Sequence, residues 1–201
     1  MRWLVVPRLQ ATGEVTIDGR RYALDGCLAY HDRNWGHFAW GADFSWEWAT
    51  VLPDDPAVPW TLVYMRIGDR RRSRTLSQGL IVWRGDNAGR TFVSRDLAVS
   101  LSGLLAVERP LRVPRIMHLV SPGLGADVPR QLAIEAATGA DQLSCTLDFS
   151  GLSQIGIPTD VGRGISLLSE TGGRARVTGR IGGRNVDFEG RALAEFHHAC
   201  G

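Results

Sequence analysis

The chain alternates short apolar or β-branched runs with Gly, Asp, Asn and Pro punctuation, and helical periodicity is nearly absent. The first clear unit is a run of alternating residues at 14–17, then Asp18-Gly19, then a second run at 20–24. Asp-Gly between two such runs predicts a two-residue β-hairpin. The same pattern predicts strands at 44–52, 60–67, 79–84, 90–99, 131–136 and 143–149. A last hairpin, 174–181 with 185–196, is expected to turn at Gly182-Gly183. The 24 glycines are spread through these segments, as the bends and bulges of a sheet curled into a barrel require. Residues 109–130 carry Pro110, Pro114, Pro122 and Pro129 and read as a long connection with room for one short helix.

Two of these hairpins echo one another. Residues 19–26 and 183–190 each begin Gly-Arg, continue with apolar residues at alternate positions, and end on an acid and Gly. Each segment forms the second arm of its hairpin. One reading is chance in a Gly- and Arg-rich chain; the other is two related barrel units carrying the same hairpin at equivalent places.

Composition narrows the function classes. A length of 201 residues at 44% hydrophobic suffices for one sizeable core, or for one barrel and part of another. The formal charge is +2 with both signs mixed, so no strong field points to nucleic acid. All 23 basic residues are arginine. The basic run at 69–74, with Arg70, Arg71, Arg72 and Arg74, reads as a solvated hairpin tip or as a contact for a phosphate or headgroup. Cys27, Cys145 and Cys200 are scattered and odd in number, which suits neither a disulfide framework nor a zinc site. His31 and His37 have no regular metal spacing, no metal site is expected, and no phosphate-binding glycine loop occurs. The apolar run after Met1 is too short for a signal segment, and nothing approaches a membrane-spanning length.

Chemistry concentrates between Tyr30 and Trp48, where four of the seven tryptophans lie among His31, Asp32, Arg33, Asn34, His37, Asp43 and Glu47. Polar groups this dense among large aromatics are costly in a purely structural core. If the strand from Tyr22 continues through Asp32, alternation puts Leu28, Tyr30 and Asp32 on one face and Cys27, Ala29 and His31 on the other. In the following strand Phe44, Trp46 and Trp48 share a face, opposed by Ser45 and Glu47. A pocket pairing Tyr30 and Asp32 with an aromatic wall follows, and Trp3 is placed to extend that wall. Such a pocket suits protonation of an unactivated alkene, which needs a carboxylic acid in apolar surroundings and electron-rich ring faces beside the developing cation. An Asp followed by Arg, Asn and Gly also caps turns, and spacing alone leaves both readings open.

The segment Tyr30-His31-Asp32-Arg33-Asn34-Trp35-Gly36, preceded by Gly26 and followed by Trp46-Glu47-Trp48, resembles the Y-H-D-H-N-W-G signature of the carotenoid 1,2-hydratases, or hydroxyneurosporene synthases. These belong to a lipocalin-like group that also includes cyclases of Diels–Alder type. The stretch 190–195 is similar to that family's C-terminal end, whereas Arg33 stands where the signature has its second histidine. The resemblance implies an all-β fold of antiparallel lipocalin-like barrels, one partial and one more complete. Residues 1–72 would be the C-terminal part of a first barrel, with open edges near Val15 and Trp48, and 73–201 a second barrel unit. It implies a cofactor-independent hydro-lyase that adds water across a C=C bond of a carotenoid, polyene or terpenoid. Asp32 would be the proton donor and Tyr30 its supporting group. His31, Asn34, Trp35, Trp46, Trp48 and Trp3 would bind the ligand.

Three alternatives stay open: a cyclase of the same group, a non-catalytic carrier of a lipophilic ligand, and a fragment whose half-barrel needs a partner chain, as in a homo-oligomer. A cytoplasmic location is expected. Peripheral contact with a membrane is left open, because a lipophilic substrate would come from one.

Overall fold

The computed structural model describes residues 2–37, 44–70, 72–86, 89–105, 128–158 and 165–200. The described strands are β1 (Arg2–Gln10), β2 (Glu14–Ile17), β3 (Arg20–Ala23), β4 (Leu28–Trp35), β5 (Ser45–Pro53), β6 (Trp60–Gly68), β7 (Thr75–Arg84), β8 (Gly89–Val93), β9 (Leu97–Ser102), β10 (Gln131–Thr138), β11 (Asp141–Pro158), β12 (Ile165–Ile181) and β13 (Arg184–Cys200). A single 3-10 turn, Ser94–Asp96, is the helical content among the described residues. Most of the proline-rich connection expected at 109–130 lies outside them.

Nine strands form one antiparallel sheet in the order β8-β7-β6-β5-β13-β12-β11-β10-β9. This is the expected lipocalin-like, all-β architecture, with the sheet curled but not closed. The end strands β8 and β9 are consecutive in the chain, and the turn Ser94–Asp96 between them splits the single strand read at 90–99. Strand alternation sets the core. In β10, Leu132, Ile134 and Ala136 point into the concave side, and in β13 Val186, Phe188, Ala192, Ala194 and Phe196 do the same. Leu62, Tyr64, Leu80, Val82, Leu147 and Val177 complete that apolar filling.

Glycines let the long strands bend. In β12 a Cβ on Gly173 would lie 2.0 Å from the carbonyl oxygen of Asp148, and the β11–β12 register shifts between Phe149 and Gly151 beside it. Such a bulge lets an 18-residue strand curl with its partner.

Two smaller pairs precede the large sheet. β2 and β3 form a hairpin turning at Asp18 (φ 50°) and Gly19 (φ 75°), the left-handed pair that a two-residue Asp-Gly turn needs. The echoing hairpin β12–β13 turns at Gly182 (φ 57°) and Gly183 (φ 76°), so both copies of the repeated segment follow the same kind of turn. β3 does not run on into β4 as the alternation suggested. The chain breaks at Asp25-Gly26, where Gly26 has φ 81° and Cys27 donates its N–H to Leu24 O. β1 and β4 then pair antiparallel, Trp3 opposite Asn34 and Val5 opposite Asp32.

β1 and β4 pack on the convex side of β5 and β6. Arg8 fixes that placement by donating to Pro56 O at 2.7 Å. β5, the strand of Trp48, is not the open edge expected, since it is hydrogen-bonded to β6 on one side and β13 on the other. The boundary read at residue 72 falls in the turn between β6 and β7, and the sheet continues through it. No helix among the described residues is long and apolar enough to cross a membrane.

Candidate active site

The cavity of interest lies between the β1–β4 pair and the convex face of the nine-stranded sheet. It encloses about 360 Å³ and is lined from one side by Trp3, Tyr30, His31, Asp32 and Asn34. From the other side it is lined by Trp46 and Trp48 of β5, Met65 and Ile67 of β6, Glu170 of β12, and Leu193 and Glu195 of β13. The faces read from alternation hold in β5: Trp46 and Trp48 turn to the cavity, while Ser45 and Glu47 are buried on the concave side.

Asp32 accepts the indole N–H of Trp3 on Oδ2 at 2.7 Å. Tyr30, two residues back on the same strand, is hydrogen-bonded to Asp32 and accepts the indole N–H of Trp48 at 3.1 Å. The Tyr30 and Trp48 rings are 4.9 Å apart at 46°. Burial first, and the nearby negative charge of Asp32 second, push the Tyr30 phenol well above its ordinary range, so it stays a proton-bearing donor. Arg33, next to Asp32, turns away from the cavity and lies over the Trp35 ring with its guanidinium 6.0 Å from the centroid.

The far wall carries two carboxyls that the sequence reading did not single out. Glu170 and Glu195 are direct partners across β12 and β13 and share the convex face. Trp46 donates its indole N–H to Glu195. Burial, then the hydrogen bond and charge of Glu195, then the charge of Asp32, raise the Glu170 carboxyl to about 7. Below Trp46 lies His197, fully buried and stacked on the indole at 3.9 Å and 11°. Burial lowers His197 to about 4, so it is a neutral ring at neutral pH.

The structure therefore gathers Tyr30, Asp32, His31, Asn34, Trp46, Trp48 and Trp3 around one cavity. Trp35 is left outside it, 42% exposed. Glu47 faces the opposite side of the sheet, where it accepts from Arg66 at 2.7 Å and Arg72 at 2.5 Å. Arg72 of the basic run is thus an inward-facing partner of a buried carboxylate rather than part of a solvated tip. In sequence, Glu170 lies before the strand read at 174–181, which in the structure begins at Ile165, and Glu195 lies near the end of the one read at 185–196. Only the register that sets Glu195 between Glu170 and Trp48 reveals them.

Chemically the cavity offers three carboxyls, a protonated phenol and three tryptophans around a volume of about 360 Å³.

No family model matches the chain. No curated protein matches its sequence either. Solved structures do. Kievitone hydratase from Nectria haematococca superposes with a TM-score of 0.57 at 13% identity, over 98% of this chain and 53% of that one. A protein of Nitrosomonas europaea described as AttH-like gives 0.57 at 14% identity, over 99% and 52%. CghA with Sch210972 gives 0.54 at 15% identity, over 98% and 54%. The chain spans about half the length of each of these proteins, and what it shares with them at such identities is the fold.

Proposed function

We propose that this chain carries a cofactor-independent hydratase-type site that adds water across a C=C bond of a lipophilic polyene or terpenoid, with Asp32 and Tyr30 among its reacting groups. The observation that carries this reading is the cavity itself, in which Asp32 and Tyr30 on one strand face Trp46 and Trp48 on another. Hydration of an isolated alkene requires a proton given to carbon, stabilisation of the cation that results, and a proton taken from water. Carboxyls supply the transfers and indole faces attract the cation. The fold shared with kievitone hydratase and CghA is in keeping with an enzyme of hydratase or cyclase type and specifies neither the reaction nor the substrate.

A cyclase of Diels–Alder type would use the same cavity differently, folding a diene against a dienophile with no proton transferred. A carrier would use the same aromatic wall without the transfers. It draws support from the engagement of Asp32 by the Trp3 N–H. Farnesol, an acyclic terpenoid alcohol, is a suitable probe in ¹⁸O-labelled water. Hydration marks its product with ¹⁸O at carbon, whereas a carrier returns the probe unchanged.

A further inference from the structure

We propose that the proton delivered in this cavity is held by Glu170, paired with Glu195, and that Asp32 on the opposite wall accepts the proton from water. This rests on the hydratase reading and assigns its donor to a residue other than the one the sequence motif points to.

The geometry is the first ground. Glu170 and Glu195 are Cα partners in an antiparallel ladder, with both side chains on the cavity face. Two carboxyls so placed do not both ionise readily, and one proton is shared between them. Trp46 gives its indole N–H to Glu195, and a donor on that side of the pair favours placing the shared proton on Glu170. Across the cavity, Asp32 accepts from Trp3 and is bonded to Tyr30. Acid and acceptor thus stand on opposite walls of the cavity, so that a double bond bound between them can take H from one side and OH from the other.

The other ionisable groups around Glu170 do not disturb this assignment. His197 lies neutral beneath Trp46, the Tyr30 phenol keeps its proton, and His31 is exposed on β4. Among the described residues lining the cavity there is no arginine to hold Glu170 ionised. In keeping with that, Glu170 is raised to about 7.

The reaction balances without a further reagent. The Glu170 O–H bond breaks as the alkene π pair forms a C–H bond, leaving the positive charge on the neighbouring carbon beside the indoles. A water oxygen forms the C–O bond, and one of its protons passes to the Asp32 carboxylate. Exchange with solvent at the cavity mouth then returns the proton from Asp32 to Glu170.

The test has one arm that needs no turnover. In protein labelled with ¹³C at the glutamate side-chain carboxyls, one resonance is expected to titrate near pH 7. It should be absent in Glu170→Gln and moved back toward the ordinary carboxylate range in Glu195→Gln. If no glutamate titrates near pH 7, or if the resonance survives Glu170→Gln, the proposal is overturned. The second arm follows ¹⁸O incorporation into farnesol. Glu170→Gln should lower it by roughly 10²–10⁴-fold and Glu170→Asp should restore part of it. A Glu170→Gln protein that hydrates farnesol like the wild type overturns the donor role even if the titration is as expected. If the wild type leaves farnesol unhydrated, that failure falls on the hydratase reading, and the titration alone decides the carboxyl pair.

Discussion

Trp3 and Asp32 are diagonal neighbours across the β1–β4 ladder, and the Trp3 indole N–H is donated to Asp32 Oδ2 at 2.7 Å. This one bond ties the N-terminal strand to the carboxyl at the centre of the cavity. Trp3→Phe keeps a ring in the wall and removes the donor. It is expected to cost about 1 kcal/mol of stability, the net worth of a part-buried hydrogen bond. Farnesol affinity should stay within a few-fold while hydration falls further, because Asp32 loses its orientation. Urea unfolding and tryptophan fluorescence measure the two effects separately.

Glu47 provides the contrasting case. Its side chain is 3% exposed and accepts from both Arg66 and Arg72 on the concave side of the sheet. Glu47→Gln leaves two guanidiniums turned inward without their counter-charge. Loss of one partner from a buried charge cluster should destabilise the fold by about 3 kcal/mol. Since this cluster and the cavity lie on opposite faces of β5, ligand affinity in the folded fraction should not change.

Glu170 and His197, both on the convex face, pull stability in opposite directions with pH. His197, lowered from 6.5 to about 4, binds fewer protons folded than unfolded, so its contribution is lost as pH falls through that window. Glu170, raised from 4.5 to about 7, binds more protons folded than unfolded, so its contribution is lost as pH rises through that window. Glu170→Gln should therefore gain stability relative to the wild type toward and above pH 7, on the order of 1–2 kcal/mol once solvent screening at this half-exposed site is allowed for. His197→Phe should instead flatten the loss on the acid side. Thermal melts of the three proteins across the range give the slopes directly.

Gly173 marks where the barrel-like curl depends on a missing side chain. A Cβ there would sit 2.0 Å from the Asp148 carbonyl oxygen and 2.8 Å from Phe149 Cα, both of them backbone atoms. Gly173→Ala must push β11 and β12 apart at their bulge, at an expected cost of about 2 kcal/mol or more. By contrast, a Cβ on Gly172 would meet nothing within 4 Å, and Gly172→Ala should be nearly neutral in the same unfolding experiment.

Much of the fold is legible in sequence because two-residue alternation is a local signal. The Asp18-Gly19 and Gly182-Gly183 turns, the faces of β5 and the placement of Tyr30 with Asp32 all follow from it. The break between β3 and β4 does not, because Asp25-Gly26 could equally sit in a bulge of a continuous strand. The strand β1 is obscured by Pro7, which reads as a breaker. It is tolerated in a two-stranded pair, where one side of the strand needs no ladder bonds. Glu170 and Glu195 lie beyond local reading altogether. Their meeting is a property of register between strands whose segments are distant from the Tyr30–Asp32 motif, and Glu170 lies in the part of β12 that precedes the strand read at 174–181.

The most direct test of the account is Asp32→Asn, assayed for farnesol binding by tryptophan fluorescence and for ¹⁸O incorporation by mass spectrometry on the same preparation. The substitution keeps the shape of the side chain and an oxygen to accept the Trp3 N–H, while removing the group that exchanges a proton. We expect affinity within a few-fold of the wild type and hydration reduced by roughly 10²–10⁴-fold. A protein that hydrates farnesol as fast with asparagine at this position, or a wild type that binds farnesol tightly and returns it without ¹⁸O, would contradict the account and leave the cavity a binding site alone.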